Sequence, residues 1–501
     1  MRWLRKKVAE VSDDAQAPFT MIIESLAGQL DQQTIRMLPD DALLEIFRFY
    51  VLDRPKKWFR LAHVCQRWRC LVYVSPRHLN LQLVCTGHKP PGEMLDKWPT
   101  WPITIDCFEQ FKYQSLSESE VNYVAAALKH NNRVSKIKLR VGDLELSHLL
   151  EKMQEPFPML ECLDLQSKNP SASASTVIPD SFLGGSAPLL VHFDLLGIPF
   201  PGLQRLLSST NHLVDLHLWD IPQAPYISSE VMAASLSTMK YLQSLSIGIR
   251  SRQVSERSIP VTRIVLPTLK HLKLKCAGDY LEDLVARLDA PSLESMGILY
   301  PSPSEVIDFS ELPRFISRTK AFEMSDQAQL RTEDRQFELT ISQKVGAVDR
   351  TELSLIFAAH GLETLLAAFC SSLPPLFIEN LEILDGQFMI PGPKMGDELR
   401  EFSRRFHGVK NLFLDPDASV HVAKALKAFV EESLFPGLQN IFKQEYSLQS
   451  TSARLLSSST HEAFLQFTAE RRLAGLPVAL HVWERGEQEK VRRAKFCFPG
   501  P

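Results

Sequence analysis

Glycine is scarce in this chain of 501 residues: 21 glycines stand against 32 prolines, the reverse of average usage. The turns are therefore punctuated by proline, and the glycine-dependent phosphate cradles are missing: there is no GxxxxGK[ST] and no GxGxxG. GxSxG and HExxH are absent as well, which removes the nucleophile-elbow hydrolases and the zinc-helix proteases. The eight cysteines (Cys65, Cys70, Cys85, Cys107, Cys162, Cys276, Cys370 and Cys497) form no CxxC and no close ligand pair. They read as reduced, mostly buried thiols rather than a metal or disulfide framework. The 14 histidines mostly stand alone.

Neither sign of charge dominates. A net charge of -3 exerts no global pull on nucleic acid or on anionic membranes. The basic runs "RWLRKK" and "RRAKF" are short enough to read as solvated termini. No apolar run reaches the roughly 18 residues of a membrane helix. The N-terminal "MRWLRKKVAEVSDDAQAPF" lacks an apolar core for a secretory signal, and Glu10, Asp13 and Asp14 do not suit a transit peptide. These absences describe a cytoplasmic or nuclear protein with no enzyme chemistry, no cofactor, no metal, no nucleic-acid partner and no membrane partner.

What is present begins with "IRMLPDDALLEIFRFYV", residues 35–51. Leu43, Ile46, Phe47, Tyr50 and Val51 fall at helical spacing and predict one apolar stripe. A second stripe, Leu61, Val64, Cys65, Trp68, Leu71 and Val72, follows Pro55 at helical spacing, with Cys65 as a buried thiol on it, so that residues 35–75 hold two or three short helices. Residues 35–80 are thus a small helical unit, too short to bury a self-sufficient core. Residues 1–34 precede it as an extension. Over 81–133 come a linker and a first strand and helix: alternation at Leu79, Leu81 and Leu83 and at Ile103 and Ile105, then a capping box, Ser117 with Glu120.

From residue 134 the sequence repeats. "VSKIKL", "LECLDL", "LLVHFDL", "LVDLHL", "LQSLSI", "LKHLKL" and "LESMGI" share apolar-x-x-apolar-x-apolar, starting at 134, 160, 190, 213, 242, 269 and 293. The intervals of 26, 30, 23, 29, 27 and 24 residues hold helix-like segments such as "DLELSHLLEKM" and "DYLEDLVARL". One strand and one helix at this period predict an α/β fold, a leucine-rich-repeat-like solenoid over 134–450 in which each unit closes its neighbour's apolar face. The pattern is irregular at about 300–370, where "KAFEMS", "FELTIS" and "TELSLIF" read as strands. It recovers in "IENLEIL", "VKNLFL" and "LQNIF". Residues 451–501 read as a capping helix, a last strand and a charged tail.

In such strands the apolar residues point inward and those between them line the concave face. Successive rungs, about 4.8 Å apart, then present Lys136, Lys138 and Arg140; Asp164 and Gln166; His192 and Asp194; Asp215, His217 and Trp219; and, after a neutral rung, His271, Lys273 and Lys275. Asp164, His192, Asp194, Asp215, His217 and an exposed Trp219 form the candidate target-binding patch, since tryptophan is a frequent hot-spot residue. Aspartates beside histidines predict binding that is sensitive to mild acidification. A plain solvated face and an acid/base centre are the competing readings of the same residues.

"LPDDALLEIF", "WFRLAHVCQRWRCLV" and "SPRHLNLQL", in that order, are similar to the F-box motif, and in particular to the F-box-like domains abundant in basidiomycete fungi, as is the later "WPTWPITI". The resemblance implies docking onto the Skp adaptor of a cullin-RING (SCF-type) ubiquitin ligase. It assigns Leu38, Pro39, Leu43, Ile46, Phe47, Val64, Cys65 and Trp68 to the adaptor contact, and the repeats to an unknown protein target. The alternative is a free-standing leucine-rich-repeat scaffold without ligase assembly. Residues 36–78 carry nine Lys/Arg against four Asp/Glu, a balance that would speed encounter with an acidic adaptor more than it would deepen affinity.

Overall fold

A computed structural model describes residues 38–53, 58–108 (apart from 77, 89 and 99), 116–168, 176–222, 227–250, 263–300 (apart from 277), 310–358 (apart from 324, 334–335 and 346–347), 378–385, 403, 406–428, 435–444 and 451–482. Residues 1–37, 169–175 and 483–501 lie outside these residues. The chain divides into two compact units, Met1–Val84 with Gly92–Ile103, and Cys85–Pro91 with Thr104–Pro501.

The first unit holds α1 (Asp40–Asp53), α2 (Phe59–Ala62), α3 (Gln66–Val74), most of β1 (Leu83–Cys85) and α4 (Gly92–Lys97). Asp40 and Asp41 occupy the first turn of α1, where negative charge suits the helix dipole. Arg67 on α3 fastens that turn: its Nε donates to Asp40 Oδ1 at 2.9 Å and its Nη2 to the Leu38 carbonyl at 2.6 Å. Leu43, Phe47 and Val51 are buried, and Phe47 meets Trp68 edge-on at 4.6 Å. The core is completed by a segment that reads in sequence as loop and strand. Trp98 lies 4.4 Å from Tyr73, and Trp101 lies 4.8 Å from Trp58, ring centre to ring centre.

The structure differs from the sequence expectation at Cys65 and at the start of β1. The Leu61–Val72 stripe is shared by two helices, making three with α1, because Cys65 adopts extended backbone (φ -157°, ψ 171°) as the N-cap of α3 and separates it from α2. Cys65 is consequently exposed, outside the helical phase that would have buried it. Leu79 and Leu81 are buried but precede the strand, which begins at Leu83.

In the second unit β2 (Ile103–Cys107) leads to α5 (Glu118–Leu128), β3 (Val134–Val141), α6 (Asp143–Glu151), β4 (Cys162–Ser167), β5 (His192–Leu196), α7 (Leu203–Ser208), β6 (Asp215–Pro222), α8 (Ser229–Leu236), β7 (Ser244–Arg250), β8 (Ile264–Val265), β9 (His271–Lys275), α9 (Gly278–Ala286), β10 (Leu288–Asp289) and β11 (Ser295–Tyr300). The capping box at α5 is formed, with the Glu120 backbone N–H donating to Ser117 Oγ and the Ser117 backbone N–H to the Glu120 carboxylate. Strands β3 to β7, then β9 and β11, pair in parallel. Leu139, Leu165, Leu195, Leu218, Ile247, Leu274 and Ile298 sit side by side in register, all buried. So do Ile137, Leu163, Phe193, Leu216, Leu245, Leu272 and Met296 in the next row. The leading apolar residues Val134, Leu160, Leu190, Leu213, Leu242, Leu269 and Leu293 are buried too. All three apolar places of the repeat therefore feed one continuous core.

The irregular segment is an antiparallel insertion that restores the parallel order. After α10 (Glu311–Arg318) and α11 (Lys320–Glu323) come β12 (Gln327–Glu333), β13 (Gln336–Val345) and β14 (Val348–Ala358). The sheet runs β11-β14-β13-β12-β15, with β14 parallel to β11 and β12 parallel to β15 (Asn380–Asp385). "KAFEMS" is thus corrected: Lys320–Glu323 is a helical turn. Strands β16 (Asn411–Leu414), β17 (Asn440–Lys443) and β18 (Ala479–Val482) continue in parallel, interleaved with α12 (Pro416–Ala428) and the long α13 (Thr451–Leu473).

Helix α9 is coupled to the helix that follows it by a polar contact. Glu282 of α9 is 1% exposed and accepts from the backbone N–H groups of Ser310, Glu311 and Leu312 at 3.1, 2.6 and 3.3 Å. It caps the start of the following helix, α10, with a charge of the sign the helix dipole favours. Charge-assisted bonds of this kind contribute about 1.5–3 kcal/mol net. Glu282→Ala is expected to lower unfolding free energy by about 3 kcal/mol, read as a shift of the urea midpoint. An equal substitution at exposed Glu294 should leave that midpoint in place.

Candidate functional site

Two surfaces carry the candidate residues. On the helical unit, Pro39 and Cys65 are exposed, Leu38 and Trp68 half-buried, and Ile46 and Val64 exposed at 44% and 58%. Leu43 and Phe47, which the resemblance assigns to the adaptor contact, are core residues at 1% and 0% exposure. The apolar surface that remains includes residues the sequence stripe did not single out, Phe49, Leu52, Phe59 and Val74. Ile46, Phe49 and Leu52 recur every three residues on α1, turned away from the buried Leu43-Phe47-Val51 face.

On the sheet, the face between the buried rows has two ordered polar rows. One reads Lys136, Cys162, His192, Asp215, Ser244 and His271, and the other Lys138, Asp164, Asp194, His217, Ser246 and Lys273. The structure brings five of the six target-patch residues together. His192 Nδ1 lies 2.5 Å from Asp215 Oδ2, and His217 Nδ1 lies 3.5 Å from Asp194 Oδ2. Two imidazole–carboxylate pairs thus cross between β5 and β6, and His217 also reaches Ser244 Oγ at 3.2 Å. Asp164 is the register partner of Asp194 and takes a hydrogen bond from Gln166 Nε2 at 3.1 Å. Its carboxyl is raised to about 7, chiefly by burial and secondly by the Asp194 charge. Among the described residues no group of three or more His, Cys, Asp or Glu is arranged to hold a metal ion.

Trp219 is corrected from exposed to buried, at 5% exposure. Strand β6 shifts register between Leu218 and Ile221, and Asp220 takes left-handed backbone (φ 51°) there. The bulge lays the indole over Gly248, where an added Cβ would come within 3.0 Å of the ring. Lys275 Nζ sits 5.9 Å from the ring centre and 2.8 Å from Asp220 Oδ1. Sequence alternation alone carries no mark of that bulge.

Further along the same face, sequence reasoning missed a second ladder. Asn411 Nδ2 donates to Asn380 Oδ1, and Asn440 Nδ2 to Asn411 Oδ1, both at 2.8 Å. Beside it Phe413 stacks on Phe442 at 4.6 Å, and Phe442 on His481 at 4.9 Å. The signal was the recurring Asn in "IENLEIL", "VKNLFL" and "LQNIF".

Residues 35–77 match the family described as F-box-like. No curated protein matches the chain. Among solved structures, the leucine-rich repeat-containing protein LegL7 from Legionella pneumophila aligns over 76% of this chain and 98% of its own, at 13% identity and a TM-score of 0.28. The chain therefore combines an F-box-like helical unit with a repeat array that its own strand register defines. Among the described residues no helix is long and apolar enough to cross a membrane.

The Asp164 carboxyl makes stability depend on pH. The unfolded chain releases this proton near the usual 3.8, the folded chain only near 7. Between those values the folded state binds more protons, so this group's contribution to stability falls as pH rises through the window. Asp164→Asn is expected to gain in melting temperature over the parent from about pH 4 to pH 8, with no difference at the acid end.

Proposed function

We propose that this protein is a substrate-receptor subunit of a cullin-RING ubiquitin ligase of the SCF type. The F-box-like unit docks the Skp adaptor, and the polar face of the sheet holds a protein target. The chain makes and breaks no bonds itself; it raises the effective concentration of the target beside a ubiquitin-carrying enzyme, in the cytoplasm or the nucleus. The observation that carries the reading is the F-box-like match at 35–77 on a unit that keeps Ile46, Phe49 and Val64 in solvent. Apolar side chains on a helix face are the usual means by which one helical element is taken up by another protein's groove.

Ile46→Asp with Val64→Asp is expected to abolish co-purification of the Skp adaptor while the thermal transition of the repeat array stays in place. Full retention of the adaptor would remove this interface. Loss of binding by the parent chain as well would leave the free-standing scaffold. Asp194→Asn with Asp215→Asn should release the target and keep the adaptor, as read by affinity purification and mass spectrometry.

A further inference from the structure

We propose that the target is recognised through an extended segment bearing an apolar side chain followed two residues later by a single Lys or Arg. This rests on the reading of the sheet face as the target site, and it names the chemistry that site takes.

The apolar half of the site is a cleft that no repeat motif announces. Glu161, Leu189, Val191, His212, Val214, Tyr241 and Gln243 line a cavity of about 500 Å³, in the range that takes one or two side chains. It lies at the entry ends of β5, β6 and β7. The backbone ladder continues one residue ahead of those strands: Val191 N–H donates to the Glu161 carbonyl, Val214 N–H to Val191, and Gln243 N–H to Val214. Val191 and Val214 are therefore neighbours on adjacent rungs. Leu189 is 41% and Tyr241 56% exposed, and His212 stacks on Tyr241 with the rings 15° apart. Single exposed apolar residues are ordinary on a protein surface. Two valines, a leucine and a stacked ring pair around one cleft are a concentrated patch.

The charged half adjoins it. Asp215 follows Val214 directly, and Asp194 lies three residues after Val191, about 10 Å along the strand. In an extended segment side chains i and i+2 share a face, roughly 7 Å apart. A segment lying along β5 and β6 with its apolar residue in the cleft thus brings residue i+2 near the Asp215 and Asp194 carboxylates, which it shares with His192 and His217. Glu161 adds a third carboxylate at the cleft wall.

The flanks set the rest of the specificity. Lys136, Lys138 and Arg140 stand on β3, two rungs to one side of β5. Lys273 stands on β9, two rungs beyond β6, next to Lys275, whose ammonium is held by Asp220. The acidic zone is therefore only about three rungs wide, roughly 10 Å by strand spacing. It accommodates one cation, whereas a basic run laid across the rungs meets cations at both ends. Repulsive flanks of this kind discriminate as effectively as the attractive centre. Acidic or neutral residues outside the apolar-x-basic core are favoured.

The test is a displayed random octapeptide library selected on the full chain without adaptor, followed by fluorescence anisotropy with one defined probe, a fluorescein-labelled Gly-Ser-Leu-Ser-Arg-Ser-Gly peptide. The parent chain should enrich apolar-x-Lys/Arg, and replacing the probe's Arg by Glu should weaken binding at least about tenfold, or 1.4 kcal/mol. Leu189→Ser with Tyr241→Ser should lose the apolar preference and keep the basic one. Asp194→Asn with Asp215→Asn should do the reverse. All four side chains reach solvent, so each double variant is first matched to the parent by its thermal transition. Enrichment of an acidic or polybasic motif, no enrichment by the parent, or the same motif from both variants would overturn the inference. Adaptor retention is scored separately on the same preparations. A chain that retains the adaptor and selects nothing loses this inference alone, and one that selects the motif without retaining the adaptor loses the ligase reading alone.

Discussion

No rung of this sheet can bury its own leucines. Each strand carries one face of apolar side chains that is closed by the next strand and by the helix that follows it, and the parallel hydrogen-bond ladder sets how the rungs meet. Once Leu139, Leu165, Leu195, Leu218, Ile247, Leu274 and Ile298 are aligned in one row, the residues between them are aligned as well. The polar rows on the other face are a by-product of that alignment. His192 meets Asp215, and Asp194 meets His217, because the leucines beside them hold the strands in step.

The same constraint decides what interruption the array tolerates. A meander of three strands, β12 to β14, sits inside the sheet and returns it to its parallel direction. Beyond it the interior rows resume at Leu381, Leu412 and Ile441, and the outer row resumes as Asn380, Asn411 and Asn440. Amide side chains stacked at the rung spacing donate and accept along the row, so the ladder is duplicated in side chains.

How much of this was legible follows from how local each signal is. The apolar-x-x-apolar-x-apolar triads state a strand and its buried face within six residues, and the helical stretches between them are equally self-contained. The His192–Asp215 and Asp194–His217 neighbours follow from the register of the motif alone. Trp219 was misread because its burial depends on a bulge and on the missing side chain of Gly248, a residue on another rung. The exposure of Cys65 and Val64 depends on one extended residue between two helices, which apolar spacing cannot report. Trp98 and Trp101 come to the helical unit from beyond its motif, after the chain has already entered the second unit and left it again. The apolar cleft was invisible because Leu189, His212 and Tyr241 precede the strands, where no alternation marks them.

The three-strand insertion also divides the array in time. Most rungs pair with a neighbour one repeat away, as Leu216 does with Leu245, so those contacts close short loops. Met296 pairs instead with Leu353, and Ala328 with Leu381, about two repeat lengths apart. Closing longer loops costs more entropy before any contact compensates, and formation of non-local strand pairs is slow. The blocks on either side of the meander can each zip from rung to rung by local steps. Their union closes the longer loops of the seam at β11–β14 and β12–β15, so the meander joins two blocks whose own pairings are shorter in range.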